Sequence, residues 1–186
     1  MGKLVVSEFV TLDGVAEAPD KWINGIHFKL FDEEGGKFKH DELFASEALL
    51  LGRVTYEAFA QAWPPRTGEF ADRFNSIPKF VASRTLHKVD WNASLIKGDV
   101  AEEVGRLKRQ PGGDLVVHGS LSLVDTLMQH QLVDEYRVWI DPIVVGEGRR
   151  LFNEGIDPAV LKLVDTKTFP SGTVVLTYHP ANGAPA

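Results

Sequence analysis

"LLLGRVTYEAFAQAWP", residues 49–64, passes from one structural grammar to another within a few residues. Ala48–Leu51 is apolar without interruption and ends on Gly52, and from Arg53 onward the spacing becomes helical. A buried strand that enters a helix in this way brings the helix's unpaired N–H groups and the positive end of its dipole to the strand's carboxyl end, where an anion is favoured. Gly52 lets an anion reach the backbone, Arg53 adds a charged fork and Thr55 a hydroxyl donor, all suited to phosphate oxygens. Gly52 as a turn residue and Arg53 as a solvated first-turn residue account for the same letters, so this stretch alone leaves both readings open.

Further strand-length apolar runs occupy 3–10, 79–83, 114–119, 136–146, 161–169 and 173–179. Most are nearly continuous rather than alternating, as expected of strands covered on both faces. Between them helical spacing covers Ile23–Phe31, Asp41–Ser46, Tyr56–Trp63, Val100–Arg109 and Leu121–His130. This alternation implies an α/β fold of three α/β/α layers around a mostly parallel sheet. Pro170-Ser171-Gly172 separates the last two β-rich runs and predicts a C-terminal hairpin that makes the sheet mixed. One domain is expected over 1–180, followed by a flexible tail at 181–186.

A chain of 186 residues with 44% hydrophobic residues can fill one core, and a net charge of -6 with no basic run disfavours nucleic acid and anionic membranes as partners. The absence of cysteine removes disulfides, thiolate metal sites and cysteine nucleophiles. No apolar run reaches the ~20 residues of a membrane span, and the first residues lack a signal-peptide core, so a cytoplasmic protein is expected. The histidines show no metal spacing, and neither a G-x-S-x-G elbow nor a G-x-G-x-x-G fingerprint is present.

The strand-to-helix grammar recurs at "DLVVHGSLSLVDTLM", where His118-Gly119-Ser120 leads into a helix beginning near Leu121. Ser120 or Ser122 can cap that helix, and Ser122 with Asp125 has capping-box spacing. Two such junctions in one parallel sheet can face each other across a gap at the strands' carboxyl ends, forming a clamp for a diphosphate. Ser83-Arg84-Thr85, after the strand at 79–83, is a third cluster, able to hold a phosphate monoester on a ribose. Asp13-Gly14 forms a turn that puts Thr11 and Asp13 at the mouth of the first strand, and Asp13 is either a turn residue or the catalytic group. Trp22, His27, Phe28 and Phe31 make an aromatic face, and Arg149 is the candidate contact for an anionic substrate. Asp141-Pro142 reads as a structural bend.

Taken in order, "TLDGVAE" (11–17), "LLLGRVTYE" (49–57), "FVASRT" (80–85), "LVVHGS" (115–120) and "DEYRVWIDPIVVGEGRRLF" (134–152) resemble the dihydrofolate reductase-like superfamily. The resemblance is to the branch containing the reductase half of the bifunctional riboflavin-biosynthesis deaminase/reductase. It implies an NADPH-dependent reductase that converts the ribose of a ribosylaminopyrimidine to ribityl, or acts on another small heterocycle. By matching position, Gly52, Arg53 and Thr55 would hold the diphosphate from one side, and Gly119, Ser120 and Leu121 from the other. Ser83 and Arg84 would contact the 2′-phosphate. Thr11, Trp22, His27, Phe31 and Arg149 would form the substrate wall. His118 departs from the paired glycines of many relatives, and would either crowd the cofactor or point away from it. The helix expected to line the pocket offers acids only at its end, at Asp32 and Glu33, which disfavours folate reduction. The alternative is a nucleotide-binding module without turnover. Relatives commonly pair through the terminal hairpin, which implies a C2 homodimer.

Overall fold

The computed structural model describes residues 2–181; the tail expected at 181–186 lies outside them except for Ala181. Strands β1 (Leu4–Thr11), β2 (Ser46–Gly52), β3 (Lys79–Ala82), β4 (Ala93–Leu95), β5 (Asp114–Val117), β6 (Glu135–Asp141), β7 (Leu161–Thr168) and β8 (Val174–Pro180) form one sheet. Their order is β4-β3-β2-β5-β1-β6-β8-β7. The strands from β4 to β6 run parallel, whereas β8 is antiparallel to both β6 and β7. Helices α1 (Glu33–Ala45), α2 (Arg53–Ala62), α3 (Glu69–Ser76), α4 (Val100–Arg109) and α5 (Leu121–Gln129) cover it. None is long and apolar enough to cross a membrane.

The uninterrupted apolar runs are explained by the two covered faces. Alternate residues point to opposite sides: Leu4 and Val6 join Leu50 and Val117 against Val104 of α4 and Leu127 of α5. Val5, Leu49 and Val116 join Leu43 of α1, Tyr56 of α2 and Phe74 of α3 on the other side. Each fully buried leucine contributes about 1.5–3 kcal/mol relative to an exposed one. The α/β/α layering and the C-terminal hairpin are as expected. Its turn is closed by Phe169 N–H donating to Thr173 O and Gly172 N–H to Phe169 O, with Gly172 at φ 89.

Several elements differ from expectation. The segment read as a helix over Ile23–Phe31 is an irregular 3-10 stretch, Pro19–Lys29, in which Ile23, Asn24 and Gly25 all have positive φ. Asn24-Gly25 is a turn pair, and it breaks the helical path there. The helix expected over Asp41–Ser46 instead begins at Glu33, where the Asp32 carboxylate accepts Gly35 N–H at 2.8 Å, and Ser46 already belongs to β2. Strand β6 stops at Asp141, before Pro142, and Val144 beyond it is 62% exposed. Helix α3 and the three-residue edge strand β4 were not foreseen.

Candidate cofactor and substrate site

The three junctions read as phosphate sites follow adjacent parallel strands, β3, β2 and β5, so topology brings them to one edge of the sheet. The β2/α2 and β5/α5 junctions touch. Gly52 N–H donates to Ser120 Oγ at 2.8 Å, and Ser120 N–H donates to Thr55 Oγ1 at 3.0 Å. Gly119 has φ 58, and a Cβ there would come within 2.9 Å of Thr55 Oγ1, so only glycine leaves this backbone bare. Its N–H donates to Glu8 Oε2 at 2.8 Å.

Ser120 is the residue before α5, yet its hydroxyl makes no cap, because it is drawn across the gap to Gly52. The capping box read at Ser122 and Asp125 does not form either; both side chains accept hydrogen bonds from Arg149. Leu121 opens α5 as expected. Arg53 pairs with Glu57 at 2.8 Å where both are about half exposed, an arrangement that costs little to open. Ser83 Oγ accepts the N–H groups of Thr85 and Leu86, and the exposed Arg84 makes no ion pair among the described residues.

At the mouth of β1, Thr11 Oγ1 donates to Asp13 Oδ1 at 2.6 Å, and Gly146 N–H donates to Asp13 Oδ2 at 2.8 Å. These bonds hold the Asp13 carboxyl below its usual range. They tie the 12–17 loop to the 143–150 loop, helped by Arg149 N–H donating to Glu17 Oε2. Asp13 is thus engaged as a loop tie, and Arg149 reaches Asp125 rather than the aromatic group.

Trp22, His27 and Phe31 do come together, at the carboxyl ends of β1 and β6. The His27 ring lies 4.4 Å from Phe9 and 5.7 Å from Trp22, and Phe31 stacks on Trp139 at 5.9 Å. His27 is 5% exposed, and its Nδ1 lies 2.6 Å from Asp141 Oδ2. Thr173 Oγ1 donates to the other oxygen of Asp141 at 2.9 Å. Asp141, read only as a bend, therefore fixes His27 from the strand that pairs with β1, in register with Thr11.

The sequence reading missed a buried polar cluster beside this group. Lys39 and Glu42, one turn apart on α1, meet at 2.7 Å, and Lys39 Nζ also donates to Ser7 Oγ at 2.7 Å. Arg137 of β6 donates to Glu42 Oε2 at 3.0 Å. Despite burial, Lys39, His118 and Arg137 hold the Glu42 carboxyl down at about 2. His118 turns into this cluster. Its Nδ1 is 3.2 Å from Ser7 O, which can only accept, so Nδ1 carries the proton. Burial, with Lys39 nearby, pushes His118 down to about 4 and leaves it neutral at neutral pH. Glu8 is 3% exposed and burial raises its carboxyl well above the usual range. The one sequence signal was the i, i+3 spacing of Lys39 and Glu42 on a helix.

The model of the RibD C-terminal domain family matches residues 2–175. The chain belongs to the RibD C-terminal domain family. The uncharacterized protein YyaP of Bacillus subtilis (strain 168) is 34% identical over 183 residues, 95% of this chain and 94% of that protein. Among solved structures, the Thermotoga maritima diaminohydroxyphosphoribosylaminopyrimidine deaminase/5-amino-6-(5-phosphoribosylamino)uracil reductase is 14% identical with a TM-score of 0.67, over 97% of this chain and 57% of that one. The Enterococcus faecalis dihydrofolate reductase complexed with NADP(H) is 18% identical with a TM-score of 0.65, over 97% and 98%. This RibD C-terminal domain thus has the dihydrofolate reductase-like fold, and its three junctions lie on strands of that shared sheet.

Proposed function

We propose that this RibD C-terminal domain is an NADPH-dependent reductase of a small heterocyclic or ribosylaminopyrimidine-like molecule. The observation that carries the reading is the meeting of two helix N-termini, at Gly52 and Gly119, with Ser83 and Arg84 following the next strand, β3. The residues present fit a dinucleotide with an additional phosphate. Gly119 keeps the backbone bare, the hydroxyls of Thr55 and Ser120 can turn toward an anion, and Arg84 is uncommitted. With strands about 4.8 Å apart, β3 to β6 spans roughly 19 Å along the edge, the scale of an extended dinucleotide. The names of the Thermotoga and Enterococcus proteins support the same class.

NADPH would supply the hydride. The protein's own part is to orient, exclude water and handle the proton. Phe9, Trp22, Phe31 and Trp139 form an apolar wall, and His27 presents Nε2 as the atom able to move a proton, since Nδ1 is committed to Asp141. Asp13 ties the loops together in this scheme.

Tryptophan fluorescence titration tests the cofactor. NADPH is expected to bind more tightly than NADH by roughly 10- to 100-fold, the ~1.5–3 kcal/mol of a hydrogen bond between charged groups. Arg84→Ala is expected to abolish the difference. Equal affinities in the unaltered protein would remove the 2′-phosphate assignment. Binding without oxidation across ribosylaminopyrimidines and related heterocycles would move the reading to a nucleotide-binding module. The reading includes a single cytoplasmic domain over 1–180 that pairs as a C2 homodimer. The edge strand β7, with Leu163 at 48% and Val164 at 43% exposure, favours such a cover. A stable monomer by light scattering would exclude it.

A further inference from the structure

A carboxyl group sits where the clamp needs a bare donor. Glu8 Oε2 accepts Gly119 N–H at 2.8 Å, while Glu8 Oε1 is buried with no hydrogen-bond partner among the described residues. An orphaned oxygen on a side chain only 3% exposed is costly to leave unpaired. The other two N–H groups of the junction are held by the neutral hydroxyls of Ser120 and Thr55, which exchange partners readily. Glu8 differs because it can carry charge.

We propose that Glu8 is a built-in competitor for the anion site: its carboxylate and the diphosphate of a bound ligand contend for Gly119 N–H, so that binding takes up one proton at Glu8 wherever the empty site leaves it ionised. The inference rests on the reading of the α2 and α5 junctions as a diphosphate clamp. A diphosphate at Gly119 removes the donor that favours the Glu8 carboxylate and adds negative charge beside it, and both changes favour the protonated acid. From α1, Lys39 favours the ionised form and Glu42 opposes it. His118 at the end of β5 is neutral, and Arg137 on β6 is engaged by Glu42 and Glu135. In the empty site burial is the largest influence and keeps Glu8 protonated up to a raised pH, with ionisation following above it. By linkage, affinity is then flat below that ionisation and falls roughly tenfold per pH unit above it.

The test is calorimetric titration with ADP-ribose, whose diphosphate diester does not titrate near neutrality, and in parallel with NADPH. It is run at several pH values and in two buffers of different ionisation heat. The unaltered protein is expected to take up close to one proton per ADP-ribose at the upper end of the pH range and none at the lower. Glu8→Gln retains an acceptor for Gly119 N–H without charge, and is expected to bind with pH-independent affinity. Should Glu8→Gln fail to fold, the two-buffer comparison on the unaltered protein decides the matter alone. Absence of proton uptake, the same pH dependence in Glu8→Gln, or no ADP-ribose binding at any pH overturns the proposal. Binding of ADP-ribose with proton uptake, without saturable NADPH binding, would uphold it while the NADPH reading falls.

Discussion

Replacing Glu42 by Ala is expected to destabilise the protein by about 3–5 kcal/mol, the cost of leaving a buried charge unpaired. The carboxylate is 5% exposed and serves Lys39, Ser7 and Arg137 together, at 2.7, 3.0 and 3.0 Å. Its loss strands the Lys39 ammonium between Phe9 and Trp139, whose ring centres lie 5.0 and 4.9 Å away. Cation–π attraction recovers only part of the lost pairing. Arg137 suffers less, because Glu135 still holds it. The double variant Lys39→Met, Glu42→Leu should therefore recover most of the loss, since a buried pair exchanged for apolar residues of similar size is often neutral or stabilising. Urea unfolding followed by circular dichroism reads both. A loss below ~1 kcal/mol in Glu42→Ala would mean that water enters the cluster and solvates Lys39.

This cluster also marks where the sequence stopped being legible. The parallel sheet announced itself because both faces of its strands are apolar, and the glycines at 52 and 119 marked the two turns where helices begin. Helix α1 hid its extent. The face it buries is Gly35, Lys39, Glu42 and Leu43, so a search for apolar period finds only its last turn. Gly35 is buried near Trp139, where a Cβ would lie 3.8 Å from the indole ring, a contact that no local pattern encodes. Glu42, which the sequence did not single out, is a buried acid on α1 paired with Lys39 and Arg137. Of the candidate site residues, the junctions expected to hold phosphate depended on strand order, and strand order places them side by side. Asp13 and Arg149 were read by residue type, and their partners come from loops distant in sequence.

His27→Gln is expected to lower kcat by roughly 10²–10⁴-fold, the usual contribution of a positioned proton donor. KM should stay within about threefold, because the wall of Phe9, Trp22 and Phe31 is preserved. The assay is NADPH oxidation with 5-amino-6-(5-phosphoribosylamino)uracil, the compound in the name of the Thermotoga neighbour. Hydride arrival at a C=N or C=O carbon leaves the heteroatom needing a proton, and a group positioned at that atom delivers it faster than bulk water does. His27 meets the geometric need. Asp141 and Thr173 fix its ring from β6 and the hairpin, and Asp141 accepts from Nδ1, leaving Nε2 as the atom that takes a proton from solvent and passes it to the substrate. Asp141→Asn should therefore lower kcat too, by less than His27→Gln, since the ring remains while its tautomer is no longer imposed. A raised KM with unchanged kcat in His27→Gln would make His27 part of the wall only, with the proton coming from solvent. No oxidation of this compound by the unaltered protein would turn the search to other heterocycles. A ring held by a carboxylate against an aromatic wall serves either role; the split between kcat and KM separates them, because packing alone acts on the bound ground state and the transition state alike.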